Sequence, residues 1–144
     1  MKVYLIGSLR NPAVPEFANE LRSHDIEVFD DWFAPGPEAD DFWQKYEQSK
    51  GKSLEEALQG YAARHIFEFD FRHLNEADVG VLFLPAGKSG HLELGYLAGL
   101  EKKTYVLFHE KPERWDVMYC FATKVFFDKK QLIDELNSLK LEFD

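Results

Sequence analysis

Glu93 is the carboxylate in this sequence best placed for chemistry. It lies in Pro85 to Gly99, PAGKSGHLELGYLAG, where a glycine-broken loop joins an apolar run to a helical pattern. Leu92, Leu94, Leu97, Ala98 and Leu100 recur at helical spacing, so the loop passes into a helix near Ser89 or Gly90. Glu93 is thereby expected in the first turn, where the helix dipole favours an ionised carboxylate. That makes it a candidate catalytic nucleophile. The chain also holds other carboxylates able to converge on it.

The elements that must position Glu93 are readable on either side. Val79 to Leu84 is a continuous apolar run, as expected of a strand covered on both faces of a parallel sheet. Lys2 to Ile6 is a first strand ended by Gly7, Ser8 and Arg10, and Pro15 suits the first turn of a helix with Phe17, Ala18 and Leu21 inward. Ile26 to Phe29 is the second strand. Trp32 to Asp41 is a loop too rich in aromatic and acidic residues for a plain linker. Trp32, Phe33, Phe42 and Trp43 form either a wall for a planar ligand or a satellite hydrophobic cluster. Asp40 or Asp41 is expected to cap a short helix ended by Gly51, and Ser53 with Glu56 makes a capping box. The box opens one longer helix, with Leu54, Leu58, Tyr61, His65 and Phe69 on its periodic face and Asp70 near its end. Strands at Thr104 to Phe108 and Val125 to Phe127, then a helix from Lys129 to Leu139, complete the alternation.

This pattern predicts an α/β fold: a three-layer sandwich with a five-stranded parallel sheet in the flavodoxin-like order 2-1-3-4-5. Gly7 to Asn11, Pro85 to Gly90 and Glu110 to Met118 then share one rim, with a crevice between strands one and three. At 144 residues, 1–144 is expected to form one domain. A formal charge of -9 with no basic stripe disfavours a nucleic-acid polymer or an anionic membrane as partner. The single cysteine, Cys120, and the absence of any long apolar run point to a cytoplasmic protein.

Several motifs are excluded. Gly87, Lys88 and Ser89 imitate the end of a P-loop, but its leading glycine falls on Leu82. There is no GxGxxG after the first strand, no GxSxG elbow, and no Cys/His cluster at metal spacing. No cofactor and no metal are expected.

Taken together, Tyr4, Gly7 and Ser8, then Asp70 and Asp78, then Glu-Leu-Gly-Tyr at Glu93 to Tyr96, then Asp116 and Met118 resemble the nucleoside 2-deoxyribosyltransferase superfamily. That superfamily also holds the 2'-deoxynucleoside 5'-phosphate N-hydrolases. The resemblance runs from Tyr4 to Met118 and implies double displacement at a sugar carbon. Glu93 would attack the anomeric carbon and hold the deoxyribosyl group as an ester, while Asp70, its pKa raised, would protonate the leaving base and Tyr4 would orient the nucleophile. Gly7, Ser8, Arg10, Gly87 and Ser89 would bind substrate. Asp116 and Met118 would complete a neighbouring subunit's pocket, which implies a homo-oligomer with shared sites.

The sequence also departs from the superfamily. Gly87 stands where the transferases carry aspartate and the hydrolases serine. Asp116 replaces a late serine of the hydrolases and would repel a monophosphate, which favours a free nucleoside with a free nucleobase as acceptor. Ser8 with Arg10, however, resembles the hydrolases' loop, and Lys88 and Ser89 could hold an anion at a helix N-terminus. The readings therefore run from transfer between bases, through hydrolysis of a deoxynucleotide, to a non-catalytic nucleotide-binding protein. Simpler roles are equally definite: Asp78 as a loop residue bonding backbone, Tyr4 as core, Ser89 as a helix cap, His65 and His91 as structural.

Overall fold

The computed structural model describes residues 1–143. β1 (Lys2–Ile6), β2 (Glu27–Phe29), β3 (Val79–Phe83), β4 (Lys103–Leu107) and β5 (Lys124–Phe126) form one parallel sheet in the order β2-β1-β3-β4-β5. Register pairs Tyr4 with Phe29 on one side and with Gly80 on the other. The expected strand order is met.

Alternation along each strand builds the layers. Val3 and Leu5 of β1 face a core shared with α1 (Ala13–Arg22) and α6 (Lys129–Lys140), through Phe17, Leu21, Leu132 and Leu136. Tyr4 and Ile6 face the opposite core with Leu74 of α4 (Tyr61–Glu76) and Leu94 and Leu97 of α5 (Lys88–Gly99). Helices thus cover both faces, which is why β1 from Val3 onward and all of β3 are apolar or glycine. Two glycines let α5 press onto the sheet. A Cβ on Gly80 would lie 2.5 Å from Leu97 Cδ1, and one on Gly90 would lie 3.0 Å from Ile6 Cγ2.

The structure corrects three local expectations. Ser53 and Glu56 do form the capping box, but the helix it opens, α3 (Leu54–Leu58), is only five residues long. The chain turns through Gln59 and Gly60, whose extended backbone starts α4 afresh, and α4 continues past Asp70 to Glu76. Apolar residues spaced across that break do not share one buried face. Leu54, Leu58 and Tyr61 are exposed, Tyr61 at 94%. Second, α2 (Ala39–Ser49) starts after Glu38, so Asp40 and Asp41 lie inside its first turn and cap nothing. Gly51, at φ +74°, does stop it. Third, α5 opens at Lys88 behind Gly87, with no side-chain cap. Ser89 is therefore a helical residue, and Glu93, sixth in the helix, belongs to its second turn.

Candidate active site

The sheet order reverses between β1 and β3, and the crevice outside their carboxyl ends is where open α/β sheets bind ligands. Tyr4 comes up from β1, Glu93 from α5 and Asp70 from α4. The Tyr4 hydroxyl donates to Glu93 Oε2 at 2.8 Å. Tyr4 is 1% exposed, and its ring packs on Phe29 at 5.0 Å, which in turn stacks on His73 of α4 at 3.9 Å. The hydroxyl is thus held by core packing, and Glu93 is held by the hydroxyl. Asp70 is half-buried and close enough for its charge to act on both Tyr4 and Glu93.

The electrostatics differ from expectation at Glu93. The dipole effect fades beyond the first turn, so burial dominates. Burial pushes the Glu93 carboxyl up to about 7, Asp70's charge adds to the rise, and the Tyr4 hydroxyl partly offsets it. Burial, then the charge of Asp40, pushes Asp70 up to about 6. Burial and the two carboxylates raise the Tyr4 phenol, which keeps it protonated as a donor. Both carboxyls therefore change charge near neutrality, as perturbed groups at functional sites often do.

This arrangement costs stability. A carboxyl whose pKa is raised on folding stabilises the fold fully below its unfolded pKa, and that contribution is lost as pH rises through the folded value. For Glu93 the window runs from about 4.5 to about 7. Glu93→Gln, which still accepts the Tyr4 bond, is expected to be more stable than the wild type at pH 8 by on the order of 3 kcal/mol. At pH 4 the difference should vanish. Thermal melts at the two pH values check this, and equal gains at both would contradict it.

The remaining predicted residues fall into two groups. Gly7, Ser8 and Arg10 follow β1, and Gly87 and Ser89 follow β3, so both loops border the crevice. Ser8 Oγ accepts the Arg10 N–H at 3.1 Å, and Arg10 Nη2 donates to Asp41 Oδ2 at 2.9 Å. A Cβ on Gly7 would meet Val14 Cγ2 at 3.0 Å and Trp32 at 3.6 Å. Trp32 is tied beneath this loop, its Nε1–H donating to Leu5 O at 2.8 Å, so it anchors the loop. Asp116 and Met118 belong to the rim after β4 but stand apart from the triad. Asp116 caps a 3-10 turn (Val117–Phe121) by accepting the Met118 N–H at 2.9 Å. It also lines a cleft with Phe108, Lys111, Trp115 and Tyr119 that includes none of Tyr4, Asp70 and Glu93. Asp78 Oδ2 accepts the Lys2 N–H at 2.8 Å, at the opposite end of the sheet.

Two features escaped the sequence. The charge of Asp40, on α2, acts on Asp70, a coupling that no spacing encodes. His91 Nδ1 lies 2.8 Å from Gly87 O and its Nε2 lies 2.9 Å from the Tyr119 hydroxyl, tying the start of α5 to the 117–121 turn. The position of His91, one helical turn after Gly87, was the only signal for it. Among the described residues no group of three or more His, Cys, Asp or Glu side chains is gathered to hold a metal ion. No described helix is long and apolar enough to cross a membrane.

No family model matches the chain, and no curated protein sequence does. Solved structures do. A CMP N-glycosidase of Clostridium botulinum, BcmB, is 14% identical over 95% of this chain and 99% of that one, with a TM-score of 0.56. A 2-deoxyribosyltransferase of the psychrotolerant bacterium Bacillus psychrosaccharolyticus is 16% identical over 92% and 90%, with a TM-score of 0.61. The chain shares their fold. The second carries in its name the activity for which the superfamily that the motifs resemble is called. Each match spans nearly the whole of both chains, so the shared fold takes in the sheet and the rim that carries Glu93.

Proposed function

We propose that the chain is a nucleoside 2-deoxyribosyltransferase. The observation that carries the proposal is the half-buried Tyr4–Glu93 hydrogen bond, with Asp70 near enough to act on both by its charge, at the carboxyl ends of β1 and β3. In the first step the Glu93 carboxylate attacks the anomeric carbon of a 2'-deoxynucleoside. A carbon–oxygen ester bond forms, the N-glycosidic bond breaks, and the Asp70 proton passes to the leaving base. In the second step a nitrogen of an acceptor base attacks the same carbon and the ester breaks. Asp70 takes the proton that the acceptor loses, and both carboxyls return to their starting states. Tyr4 keeps one Glu93 oxygen in place and leaves the other free to react.

The similarity to a CMP N-glycosidase, together with the Ser8–Arg10 loop, supports a second reading, in which water takes the sugar of a monophosphate. Chromatography of a panel of 2'-deoxynucleosides and their 5'-monophosphates, with and without a free acceptor base, separates the two. The transferase reading predicts a new nucleoside that appears only with the acceptor. Free base released from monophosphates without an acceptor would replace it with the hydrolase.

Shared sites between copies of the chain are part of this proposal. Trp115, Val117, Met118 and Phe121 are 60–88% exposed on and beside one short turn, an apolar patch suited to a second copy. Size-exclusion chromatography with light scattering is expected to give a dimer or larger assembly. Val117→Asp with Phe121→Asp should yield monomers with turnover reduced at least about tenfold, since two charges per copy would have to be buried on association. A monomeric, active wild type would contradict this.

A further inference from the structure

Arg10 is a cation in the loop that leaves β1 and borders the crevice, and in this structure an acidic side chain already holds it. The Ser8–Arg10 loop is wound by its own bonds. Ser8 Oγ accepts the Arg10 N–H, the Asn11 N–H donates to Ser8 O at 3.0 Å, and Asn11 Oδ1 accepts the Ala13 N–H at 3.1 Å. The guanidinium of that loop points at the first turn of α2, where Asp41 Oδ2 accepts from Nη2 at 2.9 Å. Asp40, its neighbour in the same turn, is the residue whose charge raises Asp70. One helical turn therefore places one carboxylate against the loop cation and another near enough for its charge to act on Asp70.

A carboxylate and a phosphate present similar oxygens to a guanidinium, so the two compete for one partner. A phosphate arriving at Arg10 must displace Asp41 and then lie near its carboxylate, where like charges repel. An uncharged sugar hydroxyl meets no such barrier. We propose that Asp41 is a specificity-determining residue, filling the anion position at Arg10 so that the site takes unphosphorylated nucleosides and rejects their 5'-monophosphates. Discrimination then comes from a repulsive element built into α2 as well as from contacts to the preferred substrate.

The inference rests on the proposed function for its substrates, but its test has a binding arm that does not. Wild type, Asp41→Asn and the double variant Arg10→Ala/Asp41→Asn are titrated calorimetrically with inorganic phosphate and with 2'-deoxyadenosine 5'-monophosphate. The Arg10–Asp41 pair is exposed and contributes little to stability, so thermal melts should show all three folded. Asp41→Asn is expected to bind both anions at least about tenfold more tightly than wild type, the scale of one charge-assisted hydrogen bond. The double variant should lose that gain. In turnover assays the monophosphate-to-nucleoside ratio of kcat/KM should rise by a similar factor in Asp41→Asn. Unchanged anion binding in Asp41→Asn, or a gain that survives loss of Arg10, would overturn the inference. Anion binding that follows Arg10 in a protein that turns over none of these compounds would support the inference and count against the enzyme reading.

Discussion

Glu93→Ala is expected to abolish turnover, with kcat falling by about 10⁴-fold or more, the scale seen when a nucleophile is removed from a catalytic group that acts as a unit. Steady-state assays with the best substrate of the nucleoside panel measure it. The loss should lie in kcat, because Glu93 touches the anomeric carbon and forms no other bond to the substrate in this account. Substrate binding should persist, and Tyr4, 1% exposed in the core, should keep its position when its acceptor is gone. A variant with more than about a hundredth of wild-type kcat would remove Glu93 from the chemistry, since general acid catalysis alone supplies about 10²–10⁴-fold.

Asp70→Asn carries the second large effect and a distinctive pH signature. The proposed mechanism needs Glu93 ionised and Asp70 protonated. Glu93 gains its charge as pH rises through about 7, and Asp70 loses its proton as pH rises through about 6. The pair shares one proton across that interval, so the profile should be bell-shaped with its maximum between about 6 and about 7. Asp70→Asn should lower kcat by about 10²–10⁴-fold, and least for substrates whose base leaves readily. It should also remove the alkaline limb, because no proton is left to lose there. The single limb that remains, set by Glu93, should lie below about 7, since the charge of Asp70 is one of the causes that raise Glu93. An alkaline limb that survives in Asp70→Asn would assign the acid to another group.

Much of this was legible in the sequence because the sheet writes itself in short apolar runs. β1 and β3 are buried on both faces, so every residue from Val3 to Ile6 and from Val79 to Phe83 is apolar or glycine, save only the Tyr4 hydroxyl that reaches Glu93. The order β2-β1-β3-β4-β5 is the flavodoxin-like closure expected of five alternating strands and helices. What was not legible has two physical causes. Helix boundaries depend on single backbone angles. Gly60 interrupts a run of plausible helical spacing, and a helix that opens at Lys88, ahead of Ser89 and Gly90, moves Glu93 out of the first turn and exchanges dipole stabilisation for burial. Meetings between distant segments leave no local pattern. Asp41 with Arg10 and Tyr119 with His91 join residues 31 and 28 apart in the chain. The exposed Leu54, Leu58 and Tyr61 read as an inner face because periodicity reports an apolar stripe without saying what covers it.

The central claim is that Glu93 carries the sugar covalently, and rapid acid quench of the enzyme with a 2'-deoxynucleoside, followed by intact-mass and peptide analysis, tests it most directly. The account predicts a protein heavier by one deoxyribosyl group, with the added mass on the peptide that contains Glu93 and the adduct discharged by a free base. An adduct on any other residue, or steady turnover in a Glu93→Ala protein that accumulates none, would contradict it.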